Sequence, residues 1–316
     1  MNSVFESFSE LDELAEQLLD EDAGLRHVTV LQLAESAEPE AIPLLLNAIK
    51  DSNEGVRQQA AIALGNFDGL EAAQALVVGL EDESPVVAEA AATSLCELKD
   101  PKAADAIYPL VNSDREFVRV ASFRGLKELC NPQSLGPAIT ALEDESAEVR
   151  AAAAAVIGWL QSEDSLPALI AATRDNDATV RRIAVSALGF SRKSAAGDAI
   201  VNSLTDEQWQ VRECAAETAA KATVVNAVPS LQDCLDDEYW QVRVKSVRSL
   251  GKLGDASVIQ DIGAMIESPI PNLRKECAAA LGEIGDPGAL EYLKLIEDDP
   301  DPDVRKNARW AIKQIA

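Results

Sequence analysis

Ten positions follow one another along this chain at an unbroken period of 31 residues, and nine of them are arginine. A row of guanidinium groups could act as a phosphate-binding strip, because each one offers a fork of N–H donors to an anion. An aspartate precedes most of these arginines by six residues, as Asp175 precedes Arg181. This pairing favours internal ion pairs over a free anion site. We call the positions of the register stations, and they are Arg26, Arg57, Ala88, Arg119, Arg150, Arg181, Arg212, Arg243, Arg274 and Arg305.

Residue types that support other chemistry are scarce or scattered. His27 is the single histidine, and the five cysteines include no C-x-x-C pair. No Gly-rich phosphate loop, G-x-S-x-G elbow or Cys–His pair is present. Carboxylates are abundant, but the sequence singles out no acid–base pair among them. We therefore predict no catalytic residue, no metal site and no cofactor, and the scattered cysteines indicate a reducing, cytoplasmic setting.

The charge of the chain restricts its partners. The formal net charge is −26, which disfavours nucleic acid and anionic membrane surfaces as ligands. Residues 1–100 carry 21 acidic and 4 basic side chains, a formal charge of −17. This acidic third is a candidate docking surface for a basic protein, unless it is only a solvated face that keeps the protein soluble.

The residues around each station predict the elements that hold it. Helix N-cap residue types often stand four positions before a station, as Asp177 does before Arg181. Apolar residues follow at helical spacing, and a glycine often stands eight positions after the station. A second apolar helix precedes the next station, so each period is an αα-hairpin that must stack on its neighbours. We predict an all-α fold, an α-solenoid superhelix of about ten hairpins that forms one domain over residues 1–316.

This pattern resembles the HEAT repeat, in the short form named after phycobilisome lyases. The resemblance covers essentially the whole chain, and Asp175 to Arg181 followed by Ala184, Leu188 and Gly189 shows it clearly. It implies that Asp and Arg of successive units form a ladder through the turns between helices. Ala88 breaks this ladder, so we expect the stack to be locally weaker there.

Proteins with this architecture include enzymes, and the residues test each of them. Deoxyhypusine hydroxylase is similar in fold but needs several His-Glu pairs for two irons, which a single histidine excludes. DNA glycosylases of this architecture use a basic groove, which the net charge opposes. A bilin lyase subunit remains an alternative, although no residue here marks a bilin site.

Two tryptophans share one position in adjacent units. Trp209 and Trp240 each stand three residues before a station, and Tyr239 lies beside the second. Their common register predicts that they lie side by side, about 10 Å apart. Trp and Tyr are common anchors of protein interfaces. The alternative is that Trp covers the turn, because other units have proline at this position.

Charged residues are expected to line the same groove. In HEAT-type stacks the station helix lines the concave side, so side chains one and five residues after a station face outward there. We therefore predict a scaffold, adaptor or assembly chaperone that binds a partner protein in its concave groove. The alternatives are a bilin-handling subunit or a neutralising binder of a basic protein. The charged candidates are Arg124, Arg182, Arg248 and Glu217.

Overall fold

A computed structural model describes residues 10–36 and 38–316. The described residues form α-helices joined by turns and short 3-10 segments, and they contain no strand. The chain divides into two compact units, Met1–Leu160 and Gln161–Ala316. The all-helical fold predicted from the sequence is confirmed.

The described residues of the first unit form ten α-helices. They are α1 (Glu10–Gln17), α2 (Ala23–Ser36), α3 (Ile42–Ala48), α4 (Glu54–Leu64), α5 (Leu70–Leu80), α6 (Pro85–Leu95), α7 (Ala104–Ile107), α8 (Glu116–Leu129), α9 (Leu135–Ala141) and α10 (Ala147–Leu160).

The second unit contains ten more. They are α11 (Leu166–Ala172), α12 (Ala178–Ala187), α13 (Ser194–Ser203), α14 (Trp209–Lys221), α15 (Val228–Asp233), α16 (Trp240–Leu253), α17 (Ile259–Ala264), α18 (Pro271–Ile284), α19 (Leu290–Leu295) and α20 (Pro302–Ile315).

The ten stations all lie on the even-numbered helices, close to the N-terminus of each. The predicted caps explain where several of these helices begin. The side chain of Asn53 accepts hydrogen bonds from the backbone N–H groups of Gly55 and Val56 at the start of α4. Asp177 and Asp301 cap α12 and α20 in the same way. Each cap satisfies backbone donors that have no partner within the helix, which fixes the position of the helix start.

The core lies between successive helices, and the residue before each station belongs to it. That residue is Val or Leu at every station and is buried at nine of them, the exception being Leu25, which is exposed. Burying one such side chain stabilises the fold by about 1.5–3 kcal/mol. The nine buried residues are Val56, Val87, Val118, Val149, Val180, Val211, Val242, Leu273 and Val304.

Glycines eight positions after a station allow neighbouring even-numbered helices to approach closely. A Cβ atom added to Gly251 of α16 would lie 2.6 Å from Cα of Ala280 in α18. A Cβ atom added to Gly282 of α18 would lie 2.6 Å from Cβ of Ala311 in α20. Both distances are shorter than an ordinary carbon–carbon contact, so the absence of a side chain sets the helix spacing.

The station arginines connect each repeat to the next. Nε and Nη2 of Arg181 donate to the two carboxylate oxygens of Asp206, over 2.8 and 2.9 Å. Nη1 donates to the backbone carbonyls of Asp175 and Asn176. The carboxylate partner therefore stands 25 residues after the arginine, and the aspartate six residues before it contributes its carbonyl oxygen. The same arrangement joins Arg26 to Asp51, Arg57 to Asp82, Arg119 to Asp144, Arg212 to Asp237 and Arg274 to Asp299.

The interrupted station at Ala88 is partly replaced by another arginine. Ala88 is buried, and Ser113 stands where the next repeat would supply the aspartate. Arg115 reaches back from the start of α8, and its Nη1 donates to the carbonyl oxygens of Glu81 and Asp82. Helix α6 nevertheless packs less closely on α8 than α4 does on α6. The expected local weakness of the stack at Ala88 stays a prediction.

Candidate functional site

The three aromatic residues predicted as interface anchors lie at the starts of two neighbouring helices, and we call them the aromatic patch (Trp209, Tyr239 and Trp240). Trp209 begins α14, and Tyr239 is the N-cap residue of α16. The rings of Trp209 and Tyr239 stack with centroids 5.2 Å apart and an angle of 14° between their planes. The ring that lies against Trp209 is thus that of Tyr239, from the neighbouring repeat.

The stack covers an ion pair of the ladder. The Tyr239 ring lies 6.0 Å from the guanidinium carbon of Arg212, which is bound to Asp237. The hydrogen bond with Asp237 raises the pKa of Arg212. Burial tends to raise the pKa of Asp237, but the hydrogen bonds from Arg212 and from the Tyr239 N–H outweigh it, so this pKa is lowered. Trp209 is half-buried, and its ring lies against that of Tyr239.

Trp240 has a different environment. In the patch, the ring of Tyr239 stacks on that of Trp209 from the preceding repeat. The residue of the next repeat that is equivalent to Tyr239, and so would face Trp240, is Ile270. Trp240 is 41% exposed, and Tyr239 is 37% exposed. An aromatic surface of this kind on adjacent helix starts can pack against an apolar or aromatic group of another protein.

Two of the predicted charged residues lie on the helices that carry the aromatic patch. Glu217 of α14 accepts a hydrogen bond from Nζ of Lys245 in α16 over 2.7 Å. Arg248 of α16 binds both carboxylate oxygens of Glu276 in α18, at 3.0 and 2.7 Å. The bond with Glu276 raises the pKa of Arg248. Glu217 and Arg248 each stand eight residues after a tryptophan of the patch, which places them on the same side of their helices.

The other two predicted residues are less closely connected to this group. Arg182 is exposed on α12, and its backbone carbonyl accepts a hydrogen bond from the thiol of Cys214 in α14. Arg124 is exposed on α8 and belongs to the first unit, whereas the other candidates belong to the second. Helices α14 and α16, with the N-cap residue of α16, therefore carry five of the candidates, Trp209, Tyr239, Trp240, Glu217 and Arg248, and Arg182 lies on the adjacent station helix.

Sequence reasoning missed two residues that are available for contacts. Trp159 is 57% exposed at the end of α10, with Nζ of Lys127 5.7 Å from its ring centroid. Arg243 lines a cavity of about 430 Å³ together with Ser268. The signal for Arg243 was present in the sequence, because Ser268 is one of two exceptions to the aspartate that precedes each station.

The described part of the chain lacks the features of a metal site and of a membrane span. Residues 10–36 and 38–316 contain no cluster of three or more His, Cys, Asp or Glu side chains that could hold a metal ion. None of the helices in these ranges combines the length and the apolar composition that a membrane span needs.

Comparison with known proteins places these features in a repeat family. The family model for HEAT repeats matches six overlapping segments, which are residues 11–83, 73–137, 110–189, 135–221, 171–243 and 228–313. No curated protein matches the sequence.

Solved structures share the fold at low sequence identity. An engineered protein is 20% identical with a TM-score of 0.53, and the alignment covers 98% of this chain and 99% of that one. Escherichia coli YibA is 19% identical with a TM-score of 0.52, and the alignment covers 88% and 92%. The yeast importin-β Kap95, in its complex with Nup1, is 14% identical with a TM-score of 0.65. This last alignment covers 97% of this chain but 51% of Kap95, so the chain spans about half of that protein.

Proposed function

This chain belongs to the HEAT-repeat family, and from that premise we propose that it is a non-catalytic scaffold, adaptor or assembly chaperone that binds a partner protein. Solenoids of stacked helical repeats typically present extended surfaces for protein partners. We also infer that the repeats are of the short phycobilisome-lyase-like type, because the Asp–Val–Arg pattern recurs with a period of 31 residues. The five cysteines are free thiols, which fits the cytoplasm as the compartment.

The observation that carries the proposal is the aromatic patch with its charged border. Trp240 and Tyr239 expose large rings at the start of α16. Glu217 and Arg248 lie eight residues beyond Trp209 and Trp240, about 12 Å further along helices that follow one another in the stack. Buried aromatic anchors surrounded by polar groups are the usual composition of the energetic centre of a protein interface. We propose that the partner lies along the face formed by the starts of α14 and α16, with Arg182 on the same side. Kap95 offers an analogy, since its structure was solved with Nup1 bound.

The decisive experiment combines capture of the partner with substitution of the patch. The tagged protein is used to capture proteins from its host at low and high salt, and the captured proteins are identified by mass spectrometry. The affinity of a stoichiometric partner is then measured for the double variant Trp209→Ala with Trp240→Ala. We expect at least a tenfold loss of affinity with unchanged helicity by circular dichroism, because truncation of an interface anchor costs about 2 kcal/mol or more.

Trp159→Ala is the matched control, since Trp159 is more exposed than either tryptophan of the patch and lies in the first unit. This variant should bind with wild-type affinity. Equal affinities for the wild type and the double variant would exclude the aromatic patch as the binding site.

A second candidate function is suggested by the charge of residues 1–100. These residues carry a formal charge of −17, so a basic protein would be attracted to them. In this case the protein would neutralise a basic partner through its acidic third. The affinity should then fall steeply between low and high salt, because exposed charges are screened over about 10 Å at 0.1 M ionic strength. A complex that does not depend on salt would refute this mode.

We further propose that residues 1–316 form one solenoid domain. The register continues from Arg150 to Arg181 without an insertion, although the boundary between the two compact units falls between these stations in the sequence. Cutting a repeat stack exposes apolar surface, so segments 1–160 and 161–316 produced separately should melt below the intact chain. Two segments that each melt at the temperature of the intact chain would indicate two independent domains.

A further inference from the structure

The arginine ladder shows how this protein binds a carboxylate. At Arg212, Nη1 is held by the carbonyl oxygens of Asp206 and Glu207, and this contact fixes the orientation of the guanidinium. Nε and Nη2 then form a fork that receives the two oxygens of Asp237 over 2.6 and 3.0 Å. Such parallel N–H···O bonds are the strong, specific mode of carboxylate recognition.

Arg243 has the carbonyl contacts of Nη1 but no carboxylate bound to Nε and Nη2. Its Nη1 donates to the carbonyl oxygens of Asp237 and Glu238, as Nη1 of the other station arginines does. The next repeat has Ser268 in place of the aspartate. The Ser268 hydroxyl accepts a hydrogen bond from the N–H of Ile270. Within the described residues Arg243 forms no ion pair with a carboxylate, and only its Nη1 is hydrogen-bonded, in the way that orients the guanidinium elsewhere in the ladder.

The surroundings of this fork form a site large enough for a side chain. Arg243 is half-buried and lines a cavity of about 430 Å³ together with Ser268, Leu235 and Leu273. Partial burial strengthens a charge-assisted hydrogen bond relative to one in open solvent. We propose that the Arg243 fork binds a carboxylate of an acidic peptide segment from a partner protein, at the position where the other repeats place their own aspartate.

Two acidic residues of the cavity do not prevent this. Asp236 and Glu267 also line it, and both are exposed. The ladder already contains the same combination at Arg274, which has Glu267 seven residues before it and Asp298 directly before its bound partner Asp299. An acidic neighbour in this register is therefore compatible with a carboxylate in the fork.

The adjacent tryptophan indicates what the rest of the segment contains. Trp240 and Arg243 are three residues apart and lie on one side of α16, as Trp209 and Arg212 do on α14. The pair on α14 is covered by Asp237 and, two residues later, by Tyr239. A segment with an acidic residue two positions before an aromatic one would reproduce both contacts on α16. This extension rests on the proposed function, because it uses Trp240 of the aromatic patch.

The probe for the experiment is a copy of the segment that the protein itself uses, acetyl-Asp-Glu-Tyr-amide. The matched control peptide is acetyl-Asn-Gln-Tyr-amide, which has the same shape without the charges. The Nε–Hε resonance of Arg243, identified by its loss in Arg243→Lys, is followed during titration. We expect a saturable shift with the acidic peptide and at least tenfold weaker binding of the amide peptide, because an amide cannot form the ion pair.

The substitution Ser268→Asp tests the site from within the chain. It returns the aspartate to its usual position, so it should abolish the binding of the acidic peptide and raise the melting temperature by about 2–4 °C. Ser113→Asp is the matched control, because the station that faces Ser113 is Ala88 and offers no fork. This control should leave peptide binding unchanged.

The possible outcomes separate the two proposals. Binding that persists in Ser268→Asp, or no binding to the wild type, overturns the assignment of the fork. Saturation by acetate at the same concentration as by the peptide overturns the peptide as the source of the carboxylate. If Trp240→Ala leaves the peptide affinity unchanged while Ser268→Asp abolishes it, the fork stands and the role of the aromatic patch fails.

Discussion

Gly251 provides a sharp test of how the repeats pack. It lies in α16 against Ala280 of α18, where an added Cβ atom would be 2.6 Å from Cα and 2.7 Å from Cβ of Ala280. Carbon atoms in ordinary contact are about 3.5–4.0 Å apart. The substitution Gly251→Ala therefore requires the two helices to separate by about 1 Å. Because one of the contacting atoms belongs to the backbone, a change of rotamer cannot relieve the overlap.

The expected magnitude follows from two opposing effects. Alanine is favoured over glycine inside a helix by about 1 kcal/mol. Overpacking of a well-packed core costs about 1–3 kcal/mol, and the backbone contact at Ala280 places Gly251→Ala in the upper part of that range. We expect a net loss of about 1–2 kcal/mol in the free energy of unfolding. The melting temperature should fall by about 2–8 °C.

The assay is thermal and urea unfolding followed by circular dichroism, with Gly136→Ala as the control. Gly136 lies in α9, and a Cβ atom added there would have no atom within 4 Å. The control should therefore be stabilised by about 0.4–1 kcal/mol. If Gly251→Ala proves as stable as Gly136→Ala, the close approach of α16 and α18 is not what sets their spacing, and the packing argument is refuted.

Three further predictions concern charge and thiol chemistry. Arg274→Ala should lower the free energy of unfolding by about 1–3 kcal/mol, since it leaves the nearly buried carboxylate of Asp299 unpaired. Arg243→Ala should cost less. Urea titrations of the two variants compare these costs, and equal costs would contradict the stabilising role of the ladder. The hydrogen bond from Arg274 lowers the pKa of Asp299, so this pair stabilises the fold fully above the unfolded pKa of about 3.9, and its contribution is lost as the pH falls through the folded pKa. Between pH 2 and 5 the melting temperature of Asp299→Asn should therefore depend less on pH than that of the wild type. The same pH dependence in both proteins would refute the pKa shift. Burial raises the pKa of the Cys277 thiol. At pH 8 a thiol reagent should therefore modify the exposed Cys130 in the native protein but Cys277 only after unfolding. Rapid labelling of Cys277 in the native protein would contradict its burial.

The local features of the repeat were predictable from the sequence because their causes are local. A cap such as Asp177 bonds to N–H groups two and three residues further along, so the residue type alone marks the start of α12. The apolar residues at helical spacing around Arg181, such as Val180 and Leu188, are buried as their pattern indicated. The sequence also places a glycine eight positions after several stations, and at Gly251 the structure shows that Ala280 approaches it closely.

The candidate surface was predictable only in part. Register alone placed Trp209 and Trp240 at equivalent positions on adjacent helices, which the structure shows as the starts of α14 and α16. It did not reveal that Trp209 would stack on Tyr239, because a ring contact between repeats depends on the direction of each side chain. Trp240 is exposed, and the next repeat has Ile270 at the position equivalent to Tyr239, so it offers no aromatic ring for the same stack.

The sequence by itself determined the helices, their period and the residues that face the core, because these depend on spacing along one chain. The tertiary structure alone decided which charges meet. Arg181 binds the carboxylate of Asp206, which stacking brings to it from the next turn, and the backbone carbonyl of Asp175 in its own turn. The same stacking lets Arg115 replace the arginine missing at Ala88. Arg243 lies near a serine, because the residue that each station meets comes from the neighbouring repeat.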